Sequence, residues 1–183
     1  MSIKPFFATA LVTCALLTAP AQAYEHAATG FGVDLPEEFV VDPDIPQQDD
    51  YDILVGVRSA ADEAGEPNLC LVGLLESEIN AGLTQKEINT IAATPEFGAQ
   101  VRASLSSVMT IDDIKQVSAA GIHGVEVFAR PRLTPEAENI RAVLTLLDIP
   151  TGRVSVSCVA TAETLDAMLP TFRTIRDGIV APR

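Results

Sequence analysis

The sequence predicts an α+β fold, a mainly antiparallel sheet of about six or seven strands flanked by helices. Three observations carry this prediction. The β-rich runs come in pairs, each joined by a stretch of turn-forming residues. Two longer segments repeat their apolar residues at helical spacing along one side. The order along the chain is strands, helix, strands, helix, without low-complexity or short-period repeats.

The chain opens MSIKPFFATALVTCALLTAPAQAYEH. One Lys precedes an apolar run from Phe6 to about Leu17, followed by Pro20 and the small residues of Ala21-Gln22-Ala23. This is the pattern of a secretory signal peptide cleaved at an A-x-A site before Tyr24. The expected organisation is a signal peptide over 1–23 and a single globular domain over 24–183. Leu11-Val12-Thr13-Cys14 loosely resembles a lipoprotein cleavage box, but Thr directly before Cys fits it badly and the apolar run continues past it. The run is shorter than the roughly 20 residues of a membrane span. The mature protein is therefore expected to be periplasmic or secreted, with no membrane insertion after cleavage.

Phe31, Val33 and Leu35 alternate with Gly32, Asp34 and Pro36, the pattern of a half-buried strand that ends at the proline. DILVGVRS (52–59) and LCLVGLLE (69–76) are β-rich and flank the turn-forming ADEAGEPN, which predicts a hairpin with a long loop. Thr84-Gln85-Lys86-Glu87 fits a capping box, and Thr94-Pro95-Glu96 fits a second helix start. Phe97, Val101, Leu105 and Val108 then recur at helical spacing, so two short helices or one kinked helix are expected over 85–109. DIKQVSAA (113–120) and VEVFARP (125–131) read as strands, with Gly121 and Gly124 bracketing a tight connection. NIRAVLTLLDI (139–149) is apolar on both faces, as a central strand is. Ile149-Pro150-Thr151-Gly152 suits a type I turn into the partner strand RVSVSCVA (153–160). A closing helix over about 162–179 places Leu165, Met168, Leu169, Phe172, Ile175 and Ile179 on one side, with Pro170 expected to split it or start its regular part.

Charge narrows the partner classes. The chain carries 25 Asp and Glu against 12 Lys and Arg, a formal charge of −13. Such a surface repels nucleic acid and anionic headgroups and favours basic partners or cations. The densest stretch, DLPEEFVVDPDIPQQDDYD (34–52), holds eight carboxylates and no Lys, Arg or His. It lacks the sixth-position Gly of an EF-hand loop, so the expected reading is a solvated acidic loop. Within it Asp42, Asp44, Asp49, Asp50 and Asp52 are the candidate partner-binding residues. Cys14 leaves with the signal peptide, and Cys70 and Cys158 remain. An even pair in an exported protein is expected to form a disulfide, the other reading being two buried thiols.

Three short motifs resemble the PsbP-like family, which includes an extrinsic photosystem protein, the Ran-binding Mog proteins and many bacterial periplasmic proteins. FGVDLPEEF (31–39) is similar to its opening strand, then Pro, then an aromatic residue. VSAAGIHGVEVF (117–128) resembles its central glycine-bearing hairpin, and FRTIRDGI (172–179) its closing helix. Gly178 departs from the expected small hydroxyl residue, and Phe39 from the more usual Trp. The resemblance implies an αβα sandwich and a binding or assembly role. It carries no catalytic set.

Chemistry-bearing motifs are few. His123 sits in a glycine-flanked turn, and two histidines are too few for a multi-histidine zinc site. Cleavage after Ala23 would give a mature chain starting Tyr24-Glu25-His26. A free amine, two amides and an imidazole at the third position form a square-planar Cu(II) or Ni(II) site. There is no G-x-S-x-G, no Ser-x-x-Lys and no phosphate-binding glycine fingerprint. The leading expectation is a non-catalytic periplasmic binding or accessory protein, an inhibitor, immunity or assembly factor for another exported or membrane-anchored protein with a basic surface, using no cofactor. The alternatives are a copper- or nickel-binding protein using Tyr24, Glu25 and His26, and an enzyme with an unrecognised carboxylate site.

Overall fold

The computed structural model describes residues 22–46, 48, 50–62, 67–132 and 138–182. The expected signal segment up to Ala21, with Cys14, lies outside the described residues, as does Asp49. Ten strands and three helices follow in chain order: β1 (Gln22–Glu25), β2 (Gly32–Leu35), β3 (Phe39–Asp42), β4 (Ile53–Ser59), β5 (Cys70–Glu76), α1 (Gln85–Ala92), α2 (Pro95–Leu105), β6 (Met109–Ala119), β7 (Ile122–Pro131), β8 (Ile140–Ile149), β9 (Gly152–Thr161), α3 (Leu165–Asp177) and β10 (Ile179–Val180). A short 3-10 helix at Glu78–Asn80 follows β5.

The predicted α+β architecture is present. Seven strands form one antiparallel sheet in the order β3-β4-β5-β9-β8-β7-β6, and β1-β2-β10 form a separate small sheet. Period-two alternation splits the apolar residues between two layers. Val55, Val57, Val72, Leu74, Val143, Leu147, Val154 and Val156 face α3 and the small sheet, where Phe31, Val33, Leu35, Phe172 and Ile175 complete one core. Val125, Val127, Ala142, Leu144 and Leu146 face the other way, onto Ala92, Phe97 and Val101 of α1 and α2. The result is an αβα sandwich.

Both expected helix starts are realised. Thr84 accepts from the Glu87 amide while Glu87 Oε2 accepts from the Thr84 amide at 2.8 Å. Thr94 caps α2 ahead of Pro95. However, α2 ends at Leu105, and Val108 is 52% exposed instead of continuing the apolar face. β6 then begins at Met109, four residues before the expected start. Pro170 neither splits nor starts α3, which runs unbroken through it. Pro170 and Asp166, whose carbonyl loses its helical donor there, are both exposed, so the freed carbonyl belongs to the solvent side of the helix.

The β6–β7 hairpin corrects another expectation. Its turn is Ala120-Gly121, both at positive φ (51° and 76°), the conformation of a two-residue hairpin loop. Gly124 is not a turn residue. It lies within β7, where a Cβ would collide with the Leu146 carbonyl of β8. His123 also belongs to β7, exposed, with its amide held by the Asn89 side chain at 3.0 Å.

Candidate binding surface

Antiparallel order puts the end of β3, the start of β4, the end of β5, the end of β8 and the start of β9 at one end of the large sheet. The second half of the acidic segment, from Asp42 to Asp52 among the described residues, lies there, while Glu38 is at the opposite end, its carbonyl accepting from the Ala60 amide; nor is the segment a loop throughout. Asp34 and Leu35 close β2, and Phe39–Asp42 form the edge strand β3, with Phe39 buried in the core. Hydrophobic alternation at Phe39 and Val41 overrides the charge of the surrounding stretch.

Several of the segment's side chains are engaged locally. Asp42 Oδ1 accepts from the Asp44 amide at 3.0 Å, an Asx turn that starts the connection. Asp52 Oδ2 accepts from the Glu76 amide at 2.6 Å, tying the connection to the end of β5. Tyr51 lies across Gly73, and its hydroxyl meets Ser155 Oγ at 3.1 Å. Asp44 and Asp50 are exposed. Glu76 and Glu78 lie beside Ser77, Pro150 and Thr151 at the same end. None of Asp42, Asp44, Asp50, Asp52, Glu76 or Glu78 forms an ion pair among the described residues. The structure therefore gathers the candidate partner-binding residues it describes, and adds two glutamates to them.

Tyr24, Glu25 and His26 lie elsewhere, in and just after β1 on the small sheet. The His26 amide donates to the Phe31 carbonyl at 2.8 Å, and its Nδ1 stands 3.2 Å from Thr29 Oγ1. A square-planar site at this terminus would have to take that amide from Phe31. Partial burial raises the Tyr24 phenol above its ordinary range. Among the described residues there is no cluster of three His, Cys, Asp or Glu placed to hold a metal ion.

Cys70 and Cys158 form a disulfide, in register on adjacent strands. Sequence reading missed a buried ion cluster. Glu126 of β7 is 2% exposed and is bound by Arg173 and Arg176 of α3. The clue was a lone carboxylate in the apolar run VEVFA together with two arginines three apart on the helix. That pairing raises the Arg173 guanidinium above its ordinary value, through its hydrogen bonds to Glu126 first and the Coulomb attraction second.

No protein-family model matches the sequence, and no curated protein does either. Solved structures do match. The chain is similar to cyanobacterial PsbP from Synechocystis sp. PCC 6803, with a TM-score of 0.52 and 12% identity over 93% of this chain and 98% of that one. It is similar to LpqN of Mycobacterium tuberculosis, with a TM-score of 0.51 and 9% identity over 91% of this chain and 88% of that one. LpqN is involved in cell envelope biogenesis. The chain has the PsbP-like fold, as the three motifs implied.

Proposed function

We propose that this chain is a non-catalytic accessory protein of the cell envelope, periplasmic or secreted, that binds another exported or membrane-anchored protein with a basic surface. The observation that carries the reading is the acidic end of the sheet, where Asp42, Asp44, Asp50, Asp52, Glu76 and Glu78 lie together without ion pairs among the described residues. Like-signed carboxylates held together repel one another, which opposes folding and favours a cationic partner. They also steer that partner during encounter. A disulfide suits an oxidising compartment. No helix among the described residues is long and apolar enough to cross a membrane. The envelope role of LpqN, which shares the fold, supports the same setting here. Inhibitor, immunity protein and assembly factor are the forms such a role takes.

Affinity purification from the periplasm at low salt and at about 0.5 M NaCl tests the reading, since salt screens exposed charges. One basic exported protein should be retained at low salt and released at high salt. Retention that ignores salt, or no exported partner at all, rejects it.

A further inference from the structure

β6 is an edge of the large sheet, and at 11 residues it is far longer than β3, the strand of 4 residues at the other edge. A long open edge is a template for a further strand, and folded proteins block such edges with bulges and charges. The first half of β6 is blocked in this way. Its register shifts between Ile111 and Asp113, which leaves Asp112 in a bulge. Arg102 of α2 donates to the Ile111 carbonyl at 3.1 Å, and Asp113 Oδ1 accepts from the Ile114 amide at 2.8 Å.

The second half has no such cover. Ala119 and Ile122 close the hairpin, so Ala119, Val117 and Lys115 exchange hydrogen bonds with β7, while Ile114, Gln116 and Ser118 turn their backbone groups outward. The Ile114 amide, turned to Asp113, follows that parity. So does the amide of His123, the residue opposite Ser118, which leaves the hairpin for the Asn89 side chain. The amides and carbonyls of Gln116 and Ser118 meet no partner among the described residues. A groove of about 680 Å³ runs beside the same stretch, with Pro95, Gly98, Ala99 and Ala103 of α2 on one wall and Ile114 and Gln116 on the other. Its one charged side chain is Arg102, which forms no ion pair among the described residues. No carboxylate lines it, on a chain of formal charge −13.

Outward backbone groups at strand spacing are complemented by an extended chain, and the small residues of α2 leave room for the side chains such a chain carries. We propose that β6 accepts an extended segment of another protein as an added antiparallel strand along residues 114–118. Every second side chain of that segment, apolar and of middle size, enters the α2 groove, and a carboxylate at its C-terminal end meets Arg102. The direction follows from the strands: β6 runs from the Arg102 contact toward the hairpin turn, so an antiparallel neighbour runs back to Arg102. A second copy of this chain fits worse. Pairing two β6 strands about Gln116 sets both Lys115 side chains diagonally on one face, like charges within reach, and requires the Ile114 amide that Asp113 holds. This surface lies at the far edge of the sheet from β3 and does not depend on the acidic end.

The probe is a synthetic peptide of about seven residues, alternating Thr and Val with a free C-terminal carboxylate, long enough at about 3.3 Å per residue to span the open stretch. In amide NMR the Gln116 and Ser118 signals should shift on titration and gain hydrogen-exchange protection, while Lys115 and Val117, already bonded to β7, change least. Two further peptides carry N-methyl groups on one or the other alternate set of amides. One should bind like the parent and the other at least about tenfold more weakly, as loss of the hydrogen bonds to β6 requires. Ala99→Trp, at an exposed position, fills the groove without touching the core and should weaken binding at least about tenfold. Arg102→Gln should weaken the free-acid peptide about threefold and leave its C-terminal amide unchanged. Absence of binding, shifts centred away from β6, equal effects of the two methylated peptides, indifference to Ala99→Trp, or a dimer of the free protein that the peptide breaks each overturns the proposal.

Discussion

Cys70 and Cys158 face each other across the β5–β9 pairing, with Cα atoms 4.1 Å apart, where the strand run β3-β4-β5 meets the run β9-β8-β7-β6. Every other pairing in the large sheet joins strands consecutive in sequence. The disulfide therefore closes the sheet's long-range joint, across a separation of 88 residues. For a loop that long the chain-entropy model gives about 4 to 5 kcal/mol. Cys70→Ala with Cys158→Ala should lower the urea midpoint accordingly and raise the m-value, because the unfolded chain loses its crosslink and exposes more surface. Both sulfurs are buried, so periplasmic protein should yield no titratable thiol at 70 or 158 until reduced in denaturant. Two free thiols there would refute the bridge, and an unmoved midpoint its stabilising role.

Neutralising the acidic connection should separate two kinds of aspartate. Asp44 and Asp50 have exposed carboxylates, so Asp44→Asn with Asp50→Asn should leave the melting temperature unchanged or slightly higher through relieved repulsion. Asp52 differs because its carboxylate binds the Glu76 amide. Asp52→Ala should cost about 1 kcal/mol, the net contribution of a hydrogen bond at an exposed position. Equal effects from both substitutions would show that the Asp52 contact does not matter.

The capping box of α1 gives a pH signature. Hydrogen bonds from the Thr84 amide, then from its hydroxyl, hold the Glu87 carboxyl below its ordinary value. A carboxyl depressed in the folded state contributes stability above its unfolded pKa and loses it as pH falls through the folded one. Carboxyl NMR titration should place the Glu87 midpoint below the ordinary glutamate range, and Thr84→Ala should move it up. An unmoved midpoint would mean that the box is not formed in solution.

Local signals were legible in the sequence and long-range ones were not. The alternation at Phe31, Val33 and Leu35, the caps at Thr84 and Thr94 and the two-faced apolarity of residues 140–149 each follow from neighbouring residues alone. The faces of Cys70 and Cys158 were legible for the same reason. β3 was missed because four residues between prolines and carboxylates carry too short an alternation to stand out. β1 was missed because Gln22–Glu25 straddles the expected cleavage site, and its strand character comes from pairing with β2.

Glu126 supplies the last prediction. Its side chain lies beneath α3, and its two oxygens take three hydrogen bonds: Arg173 Nε at 3.2 Å and Arg176 Nη1 at 3.0 Å on Oε1, and Arg173 Nη2 at 2.8 Å on Oε2. Arg176 also reaches Asp177 at 2.8 Å. A carboxylate this deep is tolerated only because both oxygens are satisfied. Removing it leaves Arg176, which is itself largely buried, with only the exposed Asp177 at its Nε and no partner among the described residues for its inward Nη1. Glu126→Ala should therefore cost about 3 to 5 kcal/mol, the usual penalty for breaking a buried pair from one side. Arg173→Ala should cost clearly less, because that side chain is more exposed and Arg176 still compensates Glu126. Replacing the whole cluster by Glu126→Leu, Arg173→Met and Arg176→Met should recover most of the loss, since desolvation offsets much of what a buried ion pair contributes. Urea unfolding of the four proteins gives the order: wild type and triple variant close together, Arg173→Ala below them, Glu126→Ala lowest. If Glu126→Ala unfolds with the wild type, the cluster does not stabilise the seating of α3. If the triple variant is the least stable, the charges contribute more than their shape, and α3 depends on them for its position on the sheet.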